Sequence, residues 1–243
     1  MNQSNEPRLK VVSINIERSE HLSLVFSFLE KEKPDVLCLQ EVMQSDLGLF
    51  EDFFGTKIVF VPMTILEEGV QGIAIISTFP TDTFSIQYAG NREEALPYLN
   101  SETYEEVYAT EKFYLLVARV KAFGKEFTIA TTHAPVTEKA QVTDYQIQSI
   151  KNLITELDNL GNFVLLGDFN AARGLEPFTI LAERYQDNIP PHYTSSIDPI
   201  LHRAAPIEWM VDGCFSSQDY KVENVRLESG VSDHCAIYAE IIK

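Results

Sequence analysis

Eight acidic, amide and imidazole side chains of this sequence could do chemistry, and most of them lie close to the ends of short apolar segments. They are Asn15, Glu41, His133, Asp168, Asn170, Asp212, Asp233 and His234. Ligand sites of α/β proteins gather at strand ends, so these groups converge on one cleft if the ends share an edge. Carboxylate and amide oxygens suit Mg²⁺ or Mn²⁺, whereas a zinc site needs closely spaced Cys and His residues. The sequence therefore predicts a magnesium or manganese site.

This set of side chains has the chemistry needed to hydrolyse phosphate esters. A phosphate diester is anionic and repels hydroxide, and a hard cation held by carboxylates would neutralise charge on its oxygens. A further carboxylate would orient or deprotonate the attacking water. Amides and imidazoles would donate hydrogen bonds to the phosphoryl oxygens. The sequence contains a candidate for each of these tasks.

Each candidate alone also has an ordinary structural interpretation. Asn15 could bond a strand end, Glu41 could be an exposed acid, and the GDFN segment at residues 167–170 could be a plain turn. His133 could be a satisfied loop histidine, and residues 233–234 could mark the start of a strand. The functional interpretation depends on their occurrence together in one chain.

Apolar runs and periodicity predict the elements that would carry these side chains. The predicted strands are residues 9–16, 36–39, 57–61, 72–77, 113–120, 127–132, 163–166, 222–227 and 235–242. The predicted helices are residues 19–32, 143–160 and 177–185. Strands outnumber helices and no linker-like stretch divides the chain. We therefore expect one α/β sandwich with a mixed sheet or sheets, in a single domain that spans residues 1–243.

Residues 91–111 differ in composition from the rest of the chain. They contain six glutamates and three tyrosines. This composition predicts a long surface loop, which is either a solvated acidic insertion or a lid that selects the substrate.

The charge of the chain bears on its partners. Its 36 acidic and 19 basic residues give a formal net charge of −17, and no run of lysines or arginines occurs. Proteins that grip long duplex DNA usually carry a basic face, so this charge disfavours such a partner. It is compatible with nucleic-acid ends, single strands or a small phosphate ester as substrate. The acidity could also serve solubility alone.

The cysteines and the apolar runs bear on the cellular location. The three cysteines, Cys38, Cys214 and Cys235, stand among apolar residues and are too few for a disulfide framework, so we expect buried thiols. No apolar run reaches the ~20 residues of a membrane helix. The sequence predicts a cytoplasmic, monomeric protein without a membrane span.

Five segments resemble, in order, the motifs of the endonuclease/exonuclease/phosphatase superfamily. They are residues 13–16 (SINI), 35–41 (DVLCLQE), 72–77 (GIAIIS), 167–170 (GDFN) and 232–234 (SDH). Shorter matches occur at residues 132–133 and 211–212. The resemblance covers almost the whole chain, and it implies a four-layer α/β sandwich with two mixed β-sheets flanked by helices.

The resemblance also implies which residues hold a metal ion. Glu41 would be the principal ligand, Asn15 would lie beside the metal and the phosphate, and Asp233 would be a further metal-side carboxylate. The implied ion is Mg²⁺ or Mn²⁺.

Five further residues match the catalytic positions of the superfamily. Asp168 would activate the water, and Asn170 would help to hold the phosphoryl group. His234 would contact the phosphate, oriented by Asp212, and His133 would lie near the leaving oxygen. Asn170, His133 and His234 would thus bind the substrate.

These observations predict a divalent-metal-dependent hydrolase of phosphate esters. The first hypothesis is a phosphodiesterase or nuclease that acts on nucleic acid or nucleotide ends. The second is a phosphoesterase of small molecules or lipid headgroups, of the inositol phosphate or sphingomyelin type. The third is a non-catalytic binding module on the same fold, which would be expected to lose metal-side carboxylates.

Overall fold

The computed structural model describes residues 6–203 and 207–243. Its strands are β1 (Leu9–Asn15), β2 (Val36–Met43), β3 (Val59–Leu66), β4 (Gly69–Ser77), β5 (Thr81–Gly90), β6 (Lys112–Ala122), β7 (Lys125–His133), β8 (Val164–Asp168), β9 (Gln186–Asp187), β10 (Asp212–Ser216), β11 (Lys221–Glu228) and β12 (Ala236–Ile242). Its α-helices are α1 (Leu22–Glu32), α2 (Leu47–Phe54), α3 (Tyr104–Thr110), α4 (Asp144–Leu160) and α5 (Glu176–Arg184).

The strands form two six-stranded mixed sheets with the same pattern of pairing. The first sheet has the order β11-β12-β1-β2-β4-β3, and the second has the order β5-β6-β7-β8-β10-β9. In each sheet one central pair is parallel, β1 with β2 and β7 with β8, and every other pair is antiparallel. The two parallel pairs point their carboxyl ends at the candidate site.

Alternating side chains of the strands build the layers. In β1, Val11 belongs to the core shared with the second sheet, whereas Val12 belongs to a second cluster that includes Leu29 of α1 and Phe50 of α2. Leu153 of α4 packs in the shared core. Helices therefore flank both sheets, and the four-layer sandwich implied by the resemblance is confirmed.

All nine predicted strands and all three predicted helices have counterparts in the structure, with ends displaced by a few residues. Strands β5, β9 and β10 and helices α2 and α3 were not predicted. Most of β5 is partly exposed because it is an edge strand, and its polar residues conceal the apolar alternation. Strand β9 has only two residues, too few for any periodic signal.

The prediction that residues 91–111 form a loop is wrong for their last third. Thr103 caps helix α3 by accepting a hydrogen bond from the backbone of Glu106, whose side chain bonds the backbone of Thr103 in return. Val107 and Tyr108 of this helix are buried. The glutamates that suggested a surface loop include Glu106, whose side chain bonds the N-cap residue and thus helps to start the helix.

Within residues 6–203 and 207–243, every helix is too short or too polar to cross a lipid bilayer.

Candidate active site

The site forms where the two central parallel pairs end. Asn15 is the last residue of β1, and its backbone pairs in register with Gln40 of β2. His133 and Asp168 are the last residues of β7 and β8, and they pair with each other in register. Carboxyl ends of parallel strands expose side chains to a shared cleft, which here lies between the two sheets.

A single amide joins the carboxylates of the two sheets. Nδ2 of Asn15 lies 3.0 Å from Oε1 of Glu41 and 3.1 Å from Oδ2 of Asp168. Oδ1 of Asn15 accepts a hydrogen bond of 3.1 Å from the backbone of Glu17. The amide is therefore held with both of its protons directed at carboxylates, and only 1% of Asn15 is exposed.

Glu41 is directed into the cleft by a bulge. The sequence predicted that it follows a strand, but it lies inside β2, at an irregularity of the register between Leu39 and Val42. Its φ is +55°, a backbone conformation that is uncommon for a non-glycine residue. Nε2 of Gln71 lies 3.2 Å from its second carboxylate oxygen. The polar pair Gln40-Glu41 interrupts the apolar run, so the strand was predicted to end at residue 39 although β2 continues to Met43.

His133 lies between the carboxylates and the amide of Asn170. Its Nε2 is 3.6 Å from Oδ2 of Asp168, 3.8 Å from Oε1 of Glu41 and 3.0 Å from Nδ2 of Asn170. Burial opposes a positive charge on this imidazole. The carboxylates of Asp168, Glu41 and Glu111 outweigh burial and raise its pKa.

Asn170 is fixed by three hydrogen bonds. Its own N–H donates to Oδ1 of Asp168 at 2.8 Å, and its Nδ2 donates to the carbonyl of Ala134 at 2.9 Å. Its carbonyl accepts a hydrogen bond of 2.8 Å from Nε2 of Gln146 on α4. Its φ of +49° places it in the left-handed region, as in the turn that the GDFN segment predicts.

His234 and Asp212 form a buried pair beside Asp168. Nδ1 of His234 lies 2.7 Å from Oδ2 of Asp212, and its Nε2 lies 3.9 Å from Oδ2 of Asp168. Burial disfavours the charged imidazole. The two aspartates outweigh burial and hold the pKa of His234 well above its usual range.

The backbone around Asp212 is tied down on both sides. Oγ of Ser196 accepts hydrogen bonds of 3.0 Å from the backbone N–H groups of Val211 and Asp212. Gly213 follows, and a Cβ there would lie 2.7 Å from ring carbons of Phe169 and Phe215. Only glycine fits between these rings without movement, so the packing of the two rings explains why a glycine follows Asp212.

Asp233 lies at the margin of this group. Among the described residues, no ion pair or hydrogen bond joins its carboxylate to Glu41 or Asp168, and its only side-chain bond comes from Ser232 at 3.2 Å. Burial raises its pKa to about 6, with His234 opposing this shift and Glu17 and Glu41 contributing to it. The structure thus places Asp233 in the electrostatic field of the site without a direct contact.

The comparisons with known proteins agree with this geometry. The sequence profile of the Endonuclease/Exonuclease/phosphatase family matches residues 12–234. The chain belongs to this family. Membership makes the chain a hydrolase of phosphoester bonds. No curated protein matches it in sequence.

Three solved structures illustrate the fold that the family shares. The human Nocturnin catalytic domain with bound sulfate anion is 18% identical, with a TM-score of 0.71 over 97% of this chain and 94% of that chain. A mannosyl-6-phosphatase from Bacteroides thetaiotaomicron is 13% identical, with a TM-score of 0.68 over 97% and 100%. Truncated Caenorhabditis elegans TDP2 is 16% identical, with a TM-score of 0.66 over 97% and 98%.

The structure adds residues to the site of this family member that the motifs did not indicate. The carboxylate of Asp198 accepts hydrogen bonds from the backbone N–H of Gly230 at 2.6 Å and from two backbone N–H groups of its own turn. The backbone N–H of Asp198 donates to the carbonyl of Asp233 at 2.8 Å. It therefore braces the SDH segment. No periodicity or motif marks Asp198, because its partners are distant in the sequence.

Glu111 was overlooked for a different reason. It lies in the segment that was predicted to be a solvated loop, yet it is buried beside the cleft. Burial raises its pKa to about 7, with His133 opposing this shift and Glu41 contributing to it. Its acidic surroundings in the sequence gave no signal of this burial.

Two groups of side chains could hold a metal ion in this family member. Oxygen and nitrogen atoms of Asp168, Asp212 and His234 lie within 4.8 Å of one another. Glu41 offers a second place, close to Asn15 and partly exposed to the cleft. The first group contains an imidazole whose Nδ1 already binds Asp212, whereas the second supplies oxygen atoms, the donor type that Mg²⁺ and Mn²⁺ prefer.

Proposed function

We propose that the chain is a Mg²⁺- or Mn²⁺-dependent phosphoesterase whose reaction takes place between the two sheets. The observation that carries this proposal is the Asn15 amide, which holds Glu41 and Asp168 at 3.0 and 3.1 Å in the same small space. Two carboxylates bound to one amide nitrogen repel each other, and a cation beside them lowers this repulsion. A divalent cation suits this position better than an additional proton because both groups are oxygen donors at the cleft.

The proposed metal-side residues are Glu41 and Asp233, whose carboxylates would be ligands, and Asn15, whose amide group hydrogen-bonds Glu41. These residues fit Mg²⁺ or Mn²⁺ in donor type. When bound, the cation would neutralise charge on the phosphoryl oxygens. Glu41 and Asp233 would then hold the cation in the cleft.

The chain itself supplies the remaining groups. Asp168 is proposed to orient the attacking water and accept its proton, since the backbone of Asn170 and the amide of Asn15 fix both of its oxygens. Asn170 and His133 are proposed to donate hydrogen bonds to the phosphoryl group. His234, kept cationic by Asp212, is proposed to bind a phosphoryl oxygen from the other side.

The substrate we propose first is a nucleic-acid end or nucleotide, cleaved as a phosphodiester. The net charge of −17 disfavours long duplexes, because no basic face would neutralise their phosphates. A small-molecule phosphate ester is the second candidate. One structural neighbour, a mannosyl-6-phosphatase, is named for a small sugar phosphate and supports the second candidate. The glutamates of residues 93–106 would repel an extended polyanion.

The test is hydrolysis of bis-p-nitrophenyl phosphate, a diester, and p-nitrophenyl phosphate, a monoester, with Mg²⁺, with Mn²⁺ and with EDTA. The proposal expects turnover that requires the metal, and faster turnover of the diester. A folded protein without metal-dependent turnover of either ester would favour the non-catalytic binding module. A panel of DNA and RNA oligonucleotides, inositol phosphates and sphingomyelin would then separate the substrate classes.

A further inference from the structure

Gln71 is a buried amide in strand β4, which is otherwise apolar where it is buried most deeply. The residues that follow it at 73–76 are all apolar and buried, and only 8% of Gln71 itself is exposed. A buried amide needs a hydrogen-bond partner. Among the described residues, the side chain of Gln71 has one, the carboxylate of Glu41, 3.2 Å from its Nε2. A strand position suited to an apolar residue is therefore occupied by an amide that bonds Glu41.

The bulge in β2 brings these two side chains together. The register of β2 with β4 shifts so that Gln40 and Glu41 together face the single residue Ile73. An extra residue of this kind re-aims the side chains around it. The side chain of Gln40 is directed at the second sheet, where its Nε2 lies 2.8 Å from Oγ1 of Thr131. The side chain of Glu41 is directed into the cleft, beside Gln71.

Each carboxylate oxygen of Glu41 is held by one amide. Nδ2 of Asn15 lies 3.0 Å from Oε1, and Nε2 of Gln71 lies 3.2 Å from Oε2. Among the described residues, no other group bonds Oε2. A carboxylate held through one oxygen can still turn about its last C–C bond, whose rotation is soft, whereas donors on both oxygens fix its plane. Gln71 therefore supplies the second of the two bonds that orient this carboxylate.

The orientation of a ligating carboxylate matters more for some metal ions than for others. Mg²⁺ requires near-octahedral coordination at short distances, whereas Ca²⁺ accepts a flexible coordination shell. Groups that hydrogen-bond a metal ligand orient it, and their loss costs about 10- to 100-fold in metal affinity. A carboxylate that turns more freely should therefore weaken the binding of Mg²⁺ more than that of Ca²⁺.

We propose that Gln71 is a positioning residue, which fixes the carboxylate of Glu41 and thereby makes the site selective for Mg²⁺ over Ca²⁺. This inference rests on the proposed function, because it takes Glu41 as a metal ligand. Gln71 acts through Glu41 and not as a ligand itself. Its loss should therefore weaken the binding of the two ions unequally, and only while the carboxylate of Glu41 is present.

The test measures metal binding without substrate, from the EPR signal of free Mn²⁺ and the displacement of bound Mn²⁺ by Mg²⁺ or Ca²⁺. Gln71→Met keeps the length of the side chain and removes its donor. The Kd for Mg²⁺ should rise by at least ~10-fold, whereas the Kd for Ca²⁺ should rise by no more than ~3-fold. Gln148→Met, the same change at an exposed position of α4, is the matched control and should change neither Kd.

Two further variants separate positioning from a general loss of stability. Gln71→Asn keeps an amide but shortens the side chain by one methylene group, so it should lose the bond to Glu41 and bind metal as Gln71→Met does. In a Glu41→Gln protein, adding Gln71→Met should change the Kd for Mg²⁺ by less than ~2-fold, because the carboxylate on which Gln71 acts is already absent. A side chain that only stabilises the fold would weaken the binding of both ions alike, in both backgrounds.

Three results would overturn the inference. The first is an unchanged Kd for Mg²⁺ in Gln71→Met, and the second is an equal rise of the Kd for Mg²⁺ and for Ca²⁺. The third is a Gln71→Asn protein that binds Mg²⁺ as the wild type does. Failure of the proposed function would look different, because the wild-type protein itself would leave all of the Mn²⁺ free, and that result would overturn both proposals.

Discussion

Nδ1 of His234 lies 2.7 Å from Oδ2 of Asp212, and both side chains are buried. This contact fixes the orientation of the ring and leaves Nε2 directed at the cleft, 3.9 Å from Asp168. An imidazole held in this way keeps its proton at higher pH than a free histidine. The pair therefore supplies a positive charge in a site that is otherwise rich in carboxylates.

Changing Asp212 to Asn should lower turnover and move its pH dependence. The carboxylate raises the pKa of His234, so its loss lowers that pKa. If charged His234 binds the phosphate, activity falls as pH rises through this pKa, and the alkaline limb of kcat/KM moves to lower pH. We expect at least a ~10-fold loss at the optimum. The measurement is a pH–rate profile, with the exposed Asp219→Asn as control. An alkaline limb that stays in place would contradict the role of Asp212.

Changing Glu41 to Gln should mainly raise the metal concentration needed for activity. The amide keeps the shape of the side chain but removes the negative charge that would attract the cation. We expect the half-saturating Mg²⁺ concentration to rise at least ~10-fold, with partial recovery of turnover at high Mg²⁺. Titration of activity with Mg²⁺ measures this shift. The exposed Glu67→Gln provides the matched control, and an unchanged Mg²⁺ requirement in the Glu41 variant would exclude its ligand role.

Changing Asp168 to Asn should lower kcat by at least ~10²-fold, because an amide cannot accept the proton of the attacking water. The fold should persist, since an amide oxygen can still accept the backbone hydrogen bond of Asn170. The change also turns the oxygen that accepts from Asn15 into an amide donor, which removes that hydrogen bond. We therefore expect the melting temperature in EDTA to fall by no more than a few degrees. Wild-type turnover by this variant would show that the water is activated elsewhere.

Changing Gly167 to Ala should destabilise the fold. The Cβ would lie 2.1 Å from the carbonyl oxygen of Thr132, and the φ of +155° is unfavourable for a side chain. We expect a loss of about 2 kcal/mol or more, which lowers the melting temperature by several degrees in a chain of this length. Thermal unfolding in EDTA separates this effect from metal binding.

Gly48→Ala is the control for this experiment. Gly48 lies in α2, and a Cβ there meets no atom within 4 Å. The change should stabilise the protein by up to about 1 kcal/mol, because alanine favours helix. Equal destabilisation by both variants would mean that the contact with Thr132 is not the cause.

The sequence predicted those elements in which burial dominates. The strands of the central parallel pairs are buried on both faces, so their apolar runs are continuous, and the end of each run marks Asn15, His133 or Asp168. Edge strand β5 was not predicted, because partial exposure removes this signal.

The contacts of the site were less accessible to sequence analysis. The motifs indicated which side chains meet, and His234 and Asp212 meet as expected. The bulge that aims Glu41, the brace by Asp198 and the burial of Glu111 arise from tertiary contacts over long separations. Local composition does not predict these contacts. For Glu111, the acidic surroundings predicted an exposed residue, whereas the residue is buried.

The arrangement of the chain has a consequence for any damaged or truncated form of the protein. All strands of the second sheet come from residues 81–216, while the first sheet is assembled from the two flanking stretches. Asn15 and Glu41 thus come from the first sheet and His234 from the segment just before its strand β12, whereas Asp168 and His133 come from the second sheet. A fragment that carries either sheet alone holds an incomplete set of groups. Catalysis would therefore require that the two sheets stay packed against each other. A protease cut that loosens their contact should abolish turnover before either sheet unfolds.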